Sequence, residues 1–547
     1  MVTPAGFEPT ACRLGGDRSI LLSYGVCAAF LTRARRKGNA RIAGGVGGMR
    51  IFRALTAVWA GAAMALASCA QPSADAAPRT SATRPVAEQR QGDQSHARIV
   101  AQYGGAYTQG RAAAYVREIG MRLAAKTEQP QGPWTFTVLD SPVVNAFALP
   151  GGYVYVTRGL LALANDEAEL AGVIGHEIGH VTAAHSARRQ ETAAVAQIGV
   201  LAAVLGAAVL GADRSVVDAV GKLGAQGAQG AVASYSRAQE LEADRLGVGY
   251  LARAGYDPLA QADFLTSLQA QSSLSARLAG AGYDANRVDF FSTHPATAER
   301  VRAAADAAAR QGGGAGAPRN RDAFLRAIDG MTYGDSPSQG FVRDGGFVHP
   351  GLRFAFKAPR GFEITNAAAA VTLRGPRGAG VVFDGGRDPG GALDAYVARV
   401  WAGGIAKQTR TGQLQNLQAR RIDGLEAASA VLPAQMRDGV RLLHLTAIRT
   451  RDGRLYRFMG VAHPNDRAGL AAVAAAGESF RSLTAAQAAR EKPWRIRIVT
   501  VRPGDTVESL ARRTPFDDAG AARLRVLNAL GPNEGLRAGQ RVKLVVR

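Results

Sequence analysis

Cysteine is nearly absent from this sequence of 547 residues: only Cys12, Cys27 and Cys69 carry a thiol, and all three precede residue 70. No disulfide can form within residues 70–547, and a cysteine-based zinc site is excluded there as well. Any metal held by the body of the chain must take its ligands from histidine and carboxylate. Acidic residues are also in short supply, 44 against 66 lysines and arginines, which leaves a formal charge of +22. Such an excess suits an anionic partner: nucleic acid, anionic lipid or a cell-wall polymer. Nucleic acid is not expected, because no zinc finger, aromatic RNA platform or dense basic helix accompanies the charge. The 66 glycines follow no collagen-like period. What is present is a folded protein's composition, 47% apolar and 20% charged, and the length predicts three or four domains.

Long apolar runs are few. Residues 49–68 read MRIFRALTAVWAGAAMALAS, with Arg50 and Arg53 ahead of an apolar stretch over 54–67. That is a secretory signal pattern, too short and wrongly flanked for a membrane span. It runs into LASC at 66–69, which resembles the bacterial lipobox. The resemblance implies that Cys69 is lipidated and becomes the first residue of the mature protein, and that Ala70, not being aspartate, sends the anchor to the outer membrane of a bacterial envelope. Translation is then expected to start at Met49, leaving residues 1–48 as an extension ahead of it. The competing reading is that ILLSYGVCAAFL at 20–31 is a genuine apolar segment. Residues 69–95, rich in Ala, Pro, Ser and Gln, are expected to be a flexible tether. The segment 193–211, AAVAQIGVLAAVLGAAVLG, approaches the length of a span. A single crossing would put His180 and Glu240 on opposite sides of a bilayer, so a non-spanning lid or a membrane-facing helix is expected.

The chemistry concentrates in residues 165–190, NDEAELAGVIGHEIGHVTAAHSARRQ. Leu170, Val173, Ile174 and Ile178 recur at helical spacing, and Asn165 or Asp166 is placed to cap the helix. His176 and His180 are one turn apart on one face and can grip one ion, while Glu177, beside the first, can take a proton from a metal-activated water. Residues 235–250, YSRAQELEADRLGVGY, form a second helical pattern. Glu240 and Asp244 share a face there, so Glu240 can complete the ligand set and Asp244 can accept a hydrogen bond from a liganding imidazole. Glu242 is a rival ligand by charge but points elsewhere on the helix. Two histidines and one glutamate leave a position open, as in a catalytic rather than a structural zinc site. By helical period His185 lies roughly 180° and 140° around from His176 and His180, so it is expected to face away from the metal, in packing or hydrogen bonding.

HEIGHVTAAHSARR, SRAQELEADRLG and NAFALPGGYVYVTRGLL together resemble the soluble periplasmic branch of the Ste24/HtpX-type zinc endopeptidases, a gluzincin family, over about residues 95–310. The resemblance implies one Zn2+ per chain on His176, His180 and Glu240. It implies action on unfolded or misassembled envelope proteins, in reach of the outer-membrane assembly machinery. His294, in the loop STHP, corresponds to a family histidine that approaches the zinc and regulates access, so it is a candidate switch or fourth ligand. Around the Pro150-Gly151-Gly152 turn a hairpin is expected. By resemblance its exposed edge pairs with substrate backbone, with Asn145, Phe147 and Tyr155 as candidates.

Past the glycine-rich joint at 311–316 the pattern changes to short strands and helices, and similar modules follow the peptidase in this branch. His349, His444 and His463 are scattered through it without metal-ligand spacing. The last 55 residues, with IRIVTVRPGDTVESLARR, LRVLNAL and LRAGQRVKLV, resemble the LysM fold, a separate unit that implies possible peptidoglycan binding. The expected fold is multidomain α+β. A mainly helical peptidase with a small edge hairpin spans 96–310, an α/β module spans 319–485 and a βααβ LysM-like domain spans 494–547. The expected activity is zinc-dependent endoproteolysis in envelope quality control. The alternative is a chaperone or scaffold with a latent site, or a peptidoglycan-binding envelope protein.

Overall fold

A computed structural model of the chain describes residues 86–189, 235–279, 294–312, 316–368, 370–436, 438–516 and 519–547. The leader, Cys69, the first part of the expected tether and the apolar segment 193–211 lie outside these residues. No helix among the described residues is long and apolar enough to cross a membrane.

The expected tether is cut short by helix α1, Val86–Gln102. From Val86 to Gln102 the chain holds no proline, and Ala, Glu, Gln and Arg favour a helix. Gly92 lets α1 lie close on the sheet, since a Cβ there would come within 2.5 Å of the Pro150 carbonyl oxygen. Helix α2, Ala112–Ala124, follows, then strands β1 (Thr135–Leu139), β2 (Ala146–Leu149) and β3 (Tyr153–Thr157). The sheet order is β1-β3-β2, with β1 parallel and β2 antiparallel to β3. Gly151 and Gly152, at φ 90° and 86°, make the turn between β2 and β3. Val154 and Val156 are buried in the main core, while Tyr153 and Tyr155 alternate onto the face that meets His96 of α1.

Helices α3 (Arg158–Leu163), α4 (Glu167–Thr182), α5 (Arg237–Arg253), α6 (Ala260–Ala279) and α7 (Ala298–Arg310) complete the expected peptidase unit. The core does not stop at 319, however. Helix α8, Arg321–Ile328, places Phe324, Leu325 and Ile328 among Ile119, Leu123, Leu160 and Leu170. The wholly buried Arg158 guanidinium donates to the carbonyls of Thr332 and Gly334, beyond α8. The glycine run is therefore a connector within the unit, whose packing reaches about residue 334.

The module that follows is built from antiparallel strands in two sheets. Strands β5 (Phe341–Arg343), β6 (Gly346–His349) and β7 (Phe354–Lys357) join β15 (Arg481–Ser482) in the order β15-β7-β6-β5. Strands β8 (Glu363–Asn366), β9 (Val371–Arg374), β10 (Gly380–Arg387), β11 (Gln415–Ile422), β12 (Leu425–Met436), β13 (Gly439–Arg449) and β14 (Arg454–Ala462) form the larger sheet in the order β11-β12-β13-β14-β10-β9-β8, whose longest ladder pairs β12 with β13. The strands on either side of Asp452-Gly453 pair as their alternating pattern predicts. Phe347, Phe354, Phe356, Phe383, Tyr456, Phe458 and Phe480 fill one shared core.

The terminal βααβ unit consists of β16 (Trp494–Thr500), helices at Val507–Ala511 and Gly520–Leu527, and β17 (Arg541–Val546). It is not the separate body the sequence suggests. β16 pairs with the short strand β4, Thr332–Tyr333, and Ile496, Leu527 and Val545 enter the peptidase core. Lys543 is fully buried, and its Nζ donates to the carbonyls of Ala162, Leu163 and Ala164 at 2.9, 3.2 and 2.6 Å. These are carbonyls at the end of α3, where a cation suits the negative end of the helix. Burial lowers the Lys543 amine to about 7 and raises the neighbouring Glu169 carboxyl, with Asp166 adding to the rise, also to about 7.

Candidate metal centre

Helix α4 starts where Asp166 accepts a hydrogen bond from the Glu169 amide at 2.8 Å, which settles the cap in favour of Asp166. Gly172, Gly175 and Gly179 then leave its inner face bare. A Cβ on Gly175 would lie 3.3 Å from Gly247 of α5, and one on Gly179 3.1 Å from the Ala243 carbonyl oxygen. The glycines thus let α5 close against α4, and α5 is set by a capping box between Ser236 and Gln239. Glu240 in its first turn and Asp244 one turn on are carried to the two α4 histidines. The loop ahead of the Thr297 cap of α7 brings in His294.

His176, His180, Glu240 and His294 are all buried, and one potential ligand atom from each lies within 4.8 Å of the others. The ε nitrogens of His176 and His180 are 3.0 Å apart, and His294 Nδ1 lies 3.3 Å from His176 Nε2 and 2.8 Å from Glu240 Oε1. His176 Nδ1 faces Asp244 Oδ1 at 2.9 Å, which leaves its Nε2 for the centre. Imidazole nitrogens this close, in a site with almost no solvent, repel one another unless a cation or proton lies between them. Three imidazoles and a carboxylate form the nitrogen and oxygen donor set that suits zinc, so the residues fit the metal the sequence implies.

Glu177 is wholly buried beside this cluster, and neither carboxylate oxygen has a hydrogen-bond partner. Burial raises its pKa, opposed by His294 and His176. Burial would raise Glu240 too, but His294 and hydrogen bonds from His180 and His294 hold it well below the ordinary carboxylate range. Asp244 is likewise held low, because Arg300 and His176 outweigh its burial. For His180 burial dominates and drives the pKa down; for His176 the bond to Asp244 overcomes burial and raises it.

Glu242 stays outside the cluster, one-third exposed, with Arg188 and His185 on its carboxylate at 3.1 and 3.0 Å. His185 does not face away: its Nδ1 lies 2.8 Å from His180 Nδ1. The helical period does not extend to it, because α4 ends at Thr182 and Ala184 takes φ 52°. The substrate-edge candidates divide. Phe147 lies in β2, which pairs on one side only among the described residues; Asn145, just ahead of β2, is buried, with its amide nitrogen toward the Tyr103 hydroxyl. Tyr155 lies in the central strand β3, fully buried, with its hydroxyl 2.8 Å from His96 Nδ1, so it is not an edge residue.

Two contributors escaped the sequence reading. Arg300 donates from Nε and Nη2 to Asp244 and from Nη1 to the Pro295 carbonyl at 3.1 Å, with Nη1 also paired by charge to Glu240 Oε2 at 2.7 Å. Its signal was an arginine on the buried stripe of α7, in line with Ala304, Ala307 and Ala308. Tyr235 stacks on His180 with ring centres 3.8 Å apart, and no local pattern marked it.

Residues 111–308 match the sequence model of Peptidase family M48, and residues 499–545 match the LysM domain. The Beta-barrel assembly-enhancing protease of Yersinia pestis is 36% identical over 162 residues, 29% of this chain and 33% of its own length. That of Escherichia coli K12 is 34% identical over 30% of this chain and 34% of its own. Mitochondrial metalloendopeptidase OMA1 of Schizosaccharomyces pombe is 32% identical over 34% of this chain and 50% of its own. The chain thus spans about a third of the bacterial relatives and half of the yeast one.

Proposed function

We propose that this chain, which carries a metalloprotease domain of peptidase family M48 ahead of a LysM domain, is a zinc-dependent endopeptidase that cleaves unfolded or misassembled proteins of a bacterial envelope. The carrying observation is Glu177, a wholly buried carboxylate without hydrogen-bond partners beside four convergent ligand atoms. His176, His180 and Glu240 would hold the ion. Zinc, when bound, acidifies a water and polarises the peptide carbonyl. Glu177 takes the proton from the attacking water and passes it to the leaving amine, a task its raised pKa suits. Asp244 fixes the His176 tautomer, with Nδ1–H donated to it and Nε2 left for metal. The free side of β2, from Asn145 through Phe147, pairs with an extended substrate through main-chain bonds, which favours breadth over sequence preference.

His294, 3.3 Å from His176 Nε2 and 2.8 Å from Glu240 Oε1, would take the ligand position a substrate carbonyl needs and would then have to withdraw for turnover. His294→Ala should keep zinc and raise proteolysis; a fall would instead assign His294 to the transition state. The names of the bacterial relatives support an envelope setting near β-barrel assembly, and the LysM match supports a peptidoglycan contact. Lipid on Cys69 and attachment to the outer membrane rest on the leader sequence. The deciding experiment measures zinc content and cleavage of casein by wild type and Glu177→Gln. Zinc should stay at one per chain while the rate falls at least about 100-fold; equal rates would sink the mechanism.

A further inference from the structure

The two α4 histidines are held by α5 in different ways. His176 meets its carboxylate, Asp244, directly. His180 has Glu240 Oε1 3.4 Å from its Nε2, on the ligand side, but its Nδ1 reaches a carboxylate only through a second imidazole. The chain leaves α4 after Thr182 and turns back through Ala183 and Ala184, and the φ of 52° at Ala184 is a left-handed conformation uncommon for a residue with a Cβ. The turn tucks His185 beneath the end of the helix, fully buried, with Nδ1 2.8 Å from His180 Nδ1. On the other side its Nε2 lies 3.0 Å from Glu242 Oε2, and Arg188 Nη1 donates to the same oxygen at 3.1 Å.

One proton order satisfies this chain of contacts and leaves a ligand at its end. A carboxylate only accepts, so His185 carries its proton on Nε2 and donates it to Glu242. His185 Nδ1 is then a lone pair, and His180 must supply the proton between the two δ nitrogens. With Nδ1 protonated, His180 presents a lone pair at Nε2, the atom facing the cluster. The opposite order would turn an N–H of His180 toward Glu240 Oε1, 3.4 Å away, which leaves no lone pair there for an ion and leaves Glu242 facing a bare nitrogen.

We propose that His185 is a positioning residue for the metal site, relaying the Glu242 carboxylate to His180 so that His180 Nε2 faces the ion as a ligand. The proposal rests on the zinc reading above. It gives both Glu242 and Asp244 a task on one helix, each fixing the tautomer of one α4 histidine. It also gives the left-handed turn at Ala184 a purpose, because a continued helix would carry His185 away from His180.

The test is zinc affinity by competition against a chromogenic chelator, with circular dichroism checking that each variant is folded. His185→Leu keeps bulk without an acceptor and should weaken zinc about 10- to 100-fold, the usual effect of losing such a partner. His185→Asn places an amide oxygen near the position of Nδ1 and should stay within about threefold of wild type on the same scale. Glu242→Gln, changed on a partly exposed side chain, should lie between them. Equal losses in His185→Leu and His185→Asn would reduce His185 to packing and overturn the relay, as would wild-type affinity in His185→Leu. A wild type that binds no zinc would instead overturn the reading on which the relay depends.

Discussion

In the peptidase half Arg300 sends Nε and Nη2 to Asp244 at 2.7 and 2.8 Å; in the sheet module Arg457 sends the same two nitrogens to Asp384, both at 2.7 Å. Each is the bidentate fork that guanidinium and carboxylate favour. The remaining nitrogen distinguishes them. Nη1 of Arg300 faces Glu240, inside a cluster of imidazoles and carboxylates. Nη1 of Arg457 meets the Tyr396 hydroxyl at 3.2 Å, and its guanidinium lies over the Trp401 ring. One fork steadies a ligand, and the other pins the helical stretch 393–406 to its sheet. The surroundings follow suit: the peptidase half buries ionisable groups around a space that fits an ion, whereas the module packs rings. A buried arginine–aspartate pair therefore marks no site by itself; what its spare donor holds does.

The contrast can be broken by substitution. Arg300→Met leaves Glu240 and Asp244 buried without their cation, and breaking such a pair costs about 3–5 kcal/mol. Urea denaturation of the metal-free protein should show that loss, and added zinc should recover part of it. An equal loss in Arg300→Met with and without zinc would separate Arg300 from the metal centre.

Another buried ionisable group of the peptidase half, Glu169, sharpens the comparison through pH. The folded-state pKa of Glu169, about 7, lies above its ordinary 4.5. The folded protein therefore binds more protons between those values, and stability falls as pH rises from about 4.5 to 7. Lys543, lowered from 10.5 to about 7, works the other way, with stability rising as pH climbs from 7 to 10.5. Glu169→Gln should flatten the acid limb, an effect of at most about 3 kcal/mol. Melting temperatures of the two proteins at pH 5 and pH 7 check it; parallel slopes would exclude Glu169 as the titrating group. The smallest effect belongs to the module. Arg457→Met should cost about 1–2 kcal/mol, because Asp384, with 14% of its side chain exposed, retains access to water. Metal content should not change, and a loss of zinc on this substitution would erase the distinction between the two forks.

Legibility in the sequence followed distance along the chain. His176, Glu177 and His180 could be placed because one turn of helix fixes them, and Glu240 and Asp244 because theirs does. The hairpin was legible from its glycine turn, but the strand that makes Tyr155 central, β1, pairs in parallel from outside the hairpin. His185 was misplaced by extending a period through a turn that no glycine or proline announced. In RVKLVV the alternation gives Lys543 no local reason to be buried. Its acceptors are the α3 carbonyls, far away in the sequence, and local spacing cannot reveal them.

That distance has a consequence in time. Lys543 and Ala162 are separated by 381 residues. At roughly 5–20 residues per second of synthesis, the carbonyls ending α3 wait on the order of tens of seconds for their partner. Helix α4 begins three residues after Ala164, so the approach to the helix that carries His176 and His180 is closed late, by a strand outside the segment 111–308. The seam at the end of α3 therefore cannot take its final form before β17 has been synthesised.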